Sequence, residues 1–275
     1  MTTSAEFISF EELEDVIHLV NKVHGYDFNE YSRASLKRRV SRVMGLRKLS
    51  LFELNNRLVN DNDFFEYFLK EITVNVTEMF RDPDFFNILR EKVLPYLSSY
   101  QQINIWTAGC STGEELYSLA ILLQEQGLLG RSLLYGTDVN SDVIDHAKKG
   151  IYDLKNMKLY SENYRESGTR HSLSEYYTAM YDAAVINQNL RDKTSFSIHN
   201  LVSDGVFNQF QLISCRNVLI YFTVSLQEKV IQLLYDSLQP LGFLCLGSKE
   251  SLRNEAIARC FKLIDKKSNI YQKID

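Results

Sequence analysis

The chain has 275 residues, 45% of them apolar, and a formal net charge of −4 at pH 7. That length allows one large domain, or a medium domain with a small one attached, and the acidic balance argues against bulk nucleic-acid binding. The opening MTTSAEFISFEELEDV is acidic without a long apolar run, so no signal peptide or lipidation motif is read there, and no stretch approaches the roughly 18 apolar residues of a membrane span.

In chain order, residues 1–72 read as a small all-helical domain. FEELEDVIHLVNKV (10–23) has apolar residues at helical spacing, and YSRASLKRRVSRVMGLRKL (31–49) carries Leu36, Val40, Val43 and Met44 on one stripe. LSLFELNNRLV and DFFEYFLKEI continue the pattern. TVNVTEMFRDP (73–83) reads as a linker, with Asp82-Pro83 opening the helix DPDFFNILREKVLPYL. From about residue 103 strands and helices alternate: INIWTA, GEELYSLAILLQEQ, SLLYGTD, SDVIDHAKKG, SFSIHN, FQLISC and SLQEKVIQLLYDSL, then a QPLG turn into GFLCLGS. CFKLID and NIYQKI form a terminal hairpin across KKS. This alternation predicts an α/β domain over 84–275 with a mostly parallel sheet and an antiparallel C-terminal hairpin. The interval from about 151 to 193 breaks the rhythm and reads as an insertion, a small antiparallel sheet. Cys110, Cys215, Cys245 and Cys260 stand far apart with no CxxC pair, which suits reduced thiols in a cytoplasmic protein and excludes zinc spacing.

The chemistry gathers at WTAGCSTGEELYSLA (106–120), a strand–glycine turn–helix unit of the kind that holds nucleotide-like ligands. It matches neither GxxxxGK[ST] nor GxGxxG. Glu114 and Glu115 at the helix start suit the helix dipole, but they would repel a pyrophosphate and attract a cation. Asp138 closes the next strand, where an acidic residue commonly accepts hydrogen bonds from ribose; the competing reading is a helix N-cap. Together these features describe a nucleoside with a positive charge and no phosphate, and S-adenosylmethionine fits.

Longer motifs carry a resemblance. NVTEMFRDP (75–83), AGCSTGEELYSLA, GTDVN, HNL (199–201) and SCRNVLIYF (214–222) occur in the order found in the CheR family, and the chain is similar to those S-adenosylmethionine-dependent protein-glutamate methyltransferases over almost its whole length. The resemblance implies a class I methyltransferase-like, Rossmann-like domain behind the helical domain. It implies that Asn75, Thr77 and Arg81 close over the cofactor from the linker and that Ala108 and Gly109 let the backbone approach it. Glu115 would bind its polar groups, Asp138 its ribose, and Asn200 and Leu201 would flank its adenine. Arg216 and Asn217 would border it, and Arg81 and Tyr221 would act nearest the transferred methyl group. Each role has a plainer alternative: a salt bridge from Arg81 to Asp82 or Asp84, an ordinary aromatic at Tyr221, a turn residue at Asn217. No metal is implied, and the product is S-adenosylhomocysteine.

Methyl transfer to a carboxylate needs no general base, because a glutamate is already ionised at pH 7. It needs alignment of oxygen, methyl and sulfur and removal of water. The substrate implied is the cytoplasmic helical bundle of chemoreceptors, acidic enough to be steered by the basic helix that carries Arg33, Lys37, Arg38, Arg39, Arg42, Arg47 and Lys48. A solvated face is the bland reading of that charge run. Other readings keep the cofactor with another acceptor, or make the chain a cofactor-sensing adaptor without turnover. The chain is expected to be a cytoplasmic monomer recruited to receptor arrays, with no membrane insertion and no nucleic acid. SEYYTAMYDAAVINQNL lacks the glycine-rich loop with which some members grip a receptor-tail pentapeptide, so no such tethering is expected. Met79, Leu116 and Lys249 depart from the family pattern, where a first linker aromatic, a proline and a serine are expected.

Overall fold

The computed structural model describes residues 8–72 and 77–274 and divides them into two compact units. One gathers the described residues up to 72 with Tyr221–Gln227; the other gathers those from 77 to Ile220 and from Glu228 to 274.

The first unit is helical because its apolar residues recur at three and four. Helix α1 (Phe10–His24) buries Leu13, Val16, Ile17 and Val20, starts in a capping box between Ser9 and Glu12, and stops at Gly25 with φ +73°. Helices α2 (Arg33–Arg47), α3 (Leu51–Asn60, with a Ser50–Glu53 capping box) and α4 (Asn62–Ile72) complete it. Leu36, Val40, Leu54, Phe65 and Phe68 join the α1 residues in one core. The segment 221–227 belongs here too, which the sequence does not show. Tyr31 bridges Phe222 as an antiparallel pair, Ser32 N–H donates to Tyr221 O at 2.9 Å, and Thr223 N–H donates to Glu30 O at 2.9 Å.

In the second unit, α5 (Pro83–Ile88) takes Pro83 at its first position, where no N–H is needed. It passes through a wider, π-type turn at Leu89–Val93 into α6 (Leu94–Leu97). The one continuous helix expected here is interrupted because Pro95 has no N–H to continue the ladder. Strand β1 (Ile103–Ala108), helix α7 (Glu114–Glu125), β2 (Ser132–Asp138) and α8 (Ser141–Lys149) follow. The insertion contributes β3 (Ile151–Asp153), α9 (Met157–Glu166), β4 (Tyr177–Met180), β5 (Ala183–Ile186) and α10 (Gln188–Arg191). Then come β6 (Thr194–Ile198), β7 (Phe210–Cys215), α11 (Val224–Asp236, counted with this unit from Glu228 on), β8 (Leu238–Leu246), α12 (Glu255–Ala258), β9 (Phe261–Asp265) and β10 (Ile270–Lys273).

The main sheet has the order β6-β2-β1-β7-β8-β10-β9. β6, β2, β1, β7 and β8 run parallel, and β10 pairs antiparallel with both β8 and β9. The parallel fold with its antiparallel hairpin is as expected. The order turns back between β1 and β7, so the crevice beyond their carboxyl ends is where such a sheet receives a ligand. β3, β5 and β4 form the separate antiparallel sheet of the insertion.

Two local expectations are corrected. The insertion is not sheet alone: α9 packs Met157, Tyr160 and Tyr164, spaced at three and four, into the core. The QPLG turn lies inside β8, where pairing steps from Phe210↔Leu238 to Leu212↔Phe243, so the extra residues are accommodated as a bulge with Leu241 at φ +62°.

The linker is tied into this unit. Met79 and Phe80 are fully buried, so the family's first aromatic is replaced here by an equally buried methionine. Phe80 N–H donates to Ser118 Oγ on α7 at 2.9 Å, and Asn163 Nδ2 on α9 donates to Met79 O at 3.1 Å. Ser118→Ala removes the acceptor of a buried N–H and should cost about 1–3 kcal/mol in urea unfolding. A change within about 0.5 kcal/mol, as for an ordinary surface substitution, would show that this bond does not hold the linker.

Candidate functional site

The site begins where β1 ends. Gly109 N–H and Cys110 N–H both donate to Thr137 O on β2, at 2.8 and 2.9 Å, which folds the chain back over the neighbouring strand. Gly109, Ser111 and Gly113 all take positive φ. At Gly109 (φ +72°) an added Cβ would lie 2.5 Å from Val218 Cγ2, so only glycine lets the turn after β1 meet the turn after β7. Gly113 N–H donates to Cys110 O, and α7 starts there.

The two glutamates separate. Glu115 accepts from Ser214 Oγ at 2.6 Å and from Arg216 Nη1 at 2.8 Å. Glu114 turns toward the insertion, where it accepts from Thr112 Oγ1 at 2.6 Å and Tyr160 OH at 3.4 Å. Burial pushes its carboxyl up to about 7, against those two hydroxyl donors. Asp138 is held by Ser111 N–H at 3.0 Å and Asn140 N–H at 3.1 Å, and burial pushes its carboxyl up against these backbone donors. It is not the cap of α8: Asn140 caps it, accepting from Asp142 N–H. Asp138 O also accepts from His199 N–H at 3.1 Å, which brings the HNL segment beside it. Asn140 Nδ2 and His199 Nδ1 are buried without a hydrogen-bond partner in the structure. Buried polar atoms call for partners, and a purine nucleoside brings both donors and acceptors.

Arg216 occupies the centre. Its guanidinium, 3% exposed, donates to Glu115, to Asp82 Oδ2 at 2.6 Å and to Arg81 O at 3.4 Å, and lies 3.9 Å over the Phe85 ring. Asp82 pairs with Arg216, and Asp84 with Lys267. Asn217 is half-buried with φ +62°.

Ala108, Gly109, Glu115, Asp138, Arg216 and Asn217 thus converge beyond β1, β2 and β7. Asn200 and Leu201 follow β6, half-buried, with Asn200 Oδ1 accepting from Val202 N–H. Thr77 and Arg81 are half-buried on the linker, and Asn75 lies outside the described residues. Tyr221 belongs to the helical unit, where the Arg39 guanidinium sits 4.8 Å over its ring and donates to Ile72 O. Burial pulls the Arg39 pKa down, and the Tyr221 hydroxyl bond opposes that pull.

The basic helix is not one open face. Arg33 pairs with Glu14, and Lys37 is buried against the Phe10 ring. Arg39 is committed to Tyr221 and Ile72, and Arg47 lies over the Tyr67 ring. Arg38 and Arg42, one turn apart, are exposed, with Arg42 reaching Glu71 at 3.5 Å.

Glu250 went unassigned at the sequence level. It is buried and accepts N–H bonds from Gly247 (2.6 Å), Asn217 (3.0 Å) and Ile220 (3.3 Å). Its only sequence signal was its place in GSKES; its neighbour Lys249 is exposed.

A reversed parallel sheet with a glycine turn after its first strand, a half-buried carboxylate ending its second and a returning antiparallel hairpin defines the class I methyltransferase fold. Comparison with known proteins narrows the class. The family model described as "CheR methyltransferase, SAM binding domain" matches residues 75–269, and "CheR methyltransferase, all-alpha domain" matches residues 11–73. The chain belongs to the CheR family of S-adenosylmethionine-dependent methyltransferases. It is 45% identical over 265 residues to the putative methyltransferase Cher3 of Pseudomonas putida, covering 95% of this chain and 96% of that protein. It is 31% identical to the chemotaxis protein methyltransferase of Listeria innocua (86% and 89% covered) and 32% identical to that of Salmonella typhimurium (78% and 73% covered). Among the described residues no helix is long and apolar enough to cross a membrane.

Glu114 carries a pH dependence. Its folded value lies above the ordinary 4.5, so the stability tied to its protonated form is complete below about 4.5 and is lost as pH rises toward about 7. Glu114→Gln, neutral throughout, removes this loss. Relative to that variant, the wild-type unfolding free energy should fall by roughly 3 kcal/mol between pH 4.5 and 7.5. Parallel stability curves for the two proteins would show that Glu114 is ionised at no cost in the fold.

Proposed function

We propose that the protein transfers a methyl group from S-adenosylmethionine to glutamate carboxylates of chemoreceptor cytoplasmic bundles, as a protein-glutamate O-methyltransferase. The observation that carries the reading is the state of the site's own carboxylates. Asp82 and Glu115 are bound by Arg216, and Asp138 and Glu250 by backbone N–H groups. None is placed as a general base, and a carboxylate acceptor requires none.

The bound cofactor supplies a methyl group on a positively charged sulfur. The residues of the chain hold and align. Asp138 is the ribose acceptor. Ala108, Gly109, Asn217 and the linker residue Thr77 form the walls, and Asn200 and Leu201 flank the adenine. Glu115, already tied to Ser214 and Arg216, keeps lone pairs for the cofactor's polar end. Arg81 and Tyr221 orient the acceptor carboxylate by hydrogen bonds. On this reading the acceptor oxygen would take the methyl group as the C–S bond broke, the electron pair would stay on the sulfur of S-adenosylhomocysteine, and the chain's residues would have no proton to move.

Arg38 and Arg42 are exposed on α2 and open to an acidic partner, while Arg33, Lys37 and Arg39 are engaged within the helical unit. The protein is proposed to act as a cytoplasmic monomer at receptor arrays, without metal, nucleic acid or membrane insertion. The β4–β5 turn is made by Tyr181, at φ +52° and 97% exposed, in place of the glycine-rich loop that grips a receptor tail.

The deciding experiment transfers labelled methyl from S-adenosylmethionine to membranes of the source organism and then applies mild base. Label released as methanol is the expected result; base-stable label would assign a nitrogen or other acceptor and overturn the reading. Arg38→Glu with Arg42→Glu should lower kcat/KM on receptor by about tenfold or more at low salt and leave S-adenosylhomocysteine affinity unchanged. An unchanged rate would point to another acceptor. Grafting a receptor-tail pentapeptide onto the substrate should leave the rate as it was, and a clear rise would show that the insertion does tether.

A further inference from the structure

We propose that Glu250 is a positioning residue for methyl transfer, its carboxylate fixing the turn Asn217–Ile220 that sets Val218 against Gly109 and leads the chain into Tyr221. The proposal deepens the methyltransferase reading and rests on it.

The turn follows β7 directly, at the reversal point of the sheet. Glu250 Oε2 accepts from Gly247 N–H at 2.6 Å and Asn217 N–H at 3.0 Å, and Oε1 accepts from Ile220 N–H at 3.3 Å. Leu219 N–H also faces it. These partners are all backbone dipoles; no cation is among them. An anion seated among converging N–H groups is the arrangement of a backbone nest, here with a side chain of the same molecule as the guest. Burial raises the carboxyl, and the four N–H groups oppose that rise.

The seat is built from both sides. A Cβ at Gly247 would lie 2.7 Å from Glu250 Oε2 and 2.8 Å from Asn217 N, so glycine is what lets the two loops close on the carboxylate. Asn269, between β9 and β10, donates through Nδ2 to Gly247 O and Glu250 O, both at 2.8 Å, and locks the glutamate's own backbone. Asn217 is left-handed without being glycine, a conformation that persists only where its surroundings enforce it. The bond from its N–H to Glu250 is part of that enforcement. Val218, between two of the donors, is the side chain whose Cγ2 lies 2.5 Å from the Cβ position of Gly109. A shift of the turn therefore moves a wall of the glycine turn after β1. It also moves the start of the segment bearing Tyr221.

The test uses Glu250→Gln and Glu250→Asp in the full chain, with three readouts: S-adenosylhomocysteine affinity by calorimetry, the thermal midpoint, and kinetics of base-labile methylation. The glutamine keeps the shape but points an NH2 at N–H donors. S-adenosylhomocysteine should bind about tenfold more weakly, and kcat should fall about a hundredfold with the acceptor KM nearly unchanged, as for a misplacement near 1 Å. The aspartate keeps the charge on a shorter arm and should recover part of both losses. A merely structural role would lower the midpoint while affinity and kcat, measured well below it, stay at the wild-type level. Folded variants within about twofold of wild type on both readouts would overturn the proposal. If the glutamine variant does not fold, the aspartate decides on the same readouts. Failure of both to fold would assign Glu250 to stability alone and overturn it too. If the wild type forms no base-labile ester, the functional reading fails, while the affinity change, which needs no acceptor, still decides the positioning claim.

Discussion

The cofactor side of the second unit depends on one buried cation. The Arg216 side chain, 3% exposed, joins three parts of the chain that the sequence places far apart: β7, which it directly follows; Glu115 at the start of α7; and Asp82 at the start of α5. Two carboxylates on one guanidinium hold the linker, the glycine turn and the switch-point strand in one register, and the Phe85 ring covers the open face of the cation. Removing such a cation strands Glu115, its buried partner, at a cost on the order of 3–5 kcal/mol, while Asp82, half exposed, returns to water. It would also release the linker at Arg81 O and Asp82. Stability and geometry therefore rest on the same contact.

This strut changes how the site's charge is counted. A cluster of acidic residues invites the idea that Glu115 draws the cofactor's positive sulfur. In the structure Glu115 is already balanced by Arg216. Asp138 and Glu250, by contrast, are each bound by backbone N–H groups. Glu250 is buried and Asp138 half-buried, where water screens them less than at the surface. The field that favours a cation therefore comes from carboxylates fixed by dipoles, while the ion-paired carboxylate fixes shape.

Much of this was legible in the sequence because it is local. The strand–glycine–helix unit, the aspartate ending the second strand and the terminal hairpin all follow from the order of residues along a few dozen positions. What was not legible depends on pairing over long separations. Glu114 and Glu115 are adjacent and alike in the sequence, yet one faces Tyr160 and the other Arg216, because successive helix positions point about 100° apart. Glu250 looked like one polar residue in GSKES; its role exists only because the turn at Asn217 comes to it. The return of residues 221–227 to the helical unit gave no signal, since a Tyr31–Phe222 bridge has no periodicity to betray it. The basic run misled in the same way: seven cations on one stretch read as one face, whereas a helix distributes them around its circumference and buries Lys37 beside Leu36.

The tolerated departures obey the same division. Met79 replaces an aromatic where only burial is asked of the side chain. Leu116 stands at the third position of α7, where a proline would lose no intrahelical bond and a leucine gains full burial. Lys249 is exposed and flanks Glu250 without touching the N–H groups that Glu250 gathers. Positions that meet only apolar neighbours or solvent have varied. Arg216, Asp138, Gly109 and Glu250, each of which meets a particular polar group or a particular backbone approach, have no such latitude. At Gly109 and Glu250 the consequence is geometric: between them they hold Val218 of the turn after β7 against the turn after β1, at the point where the sheet reverses.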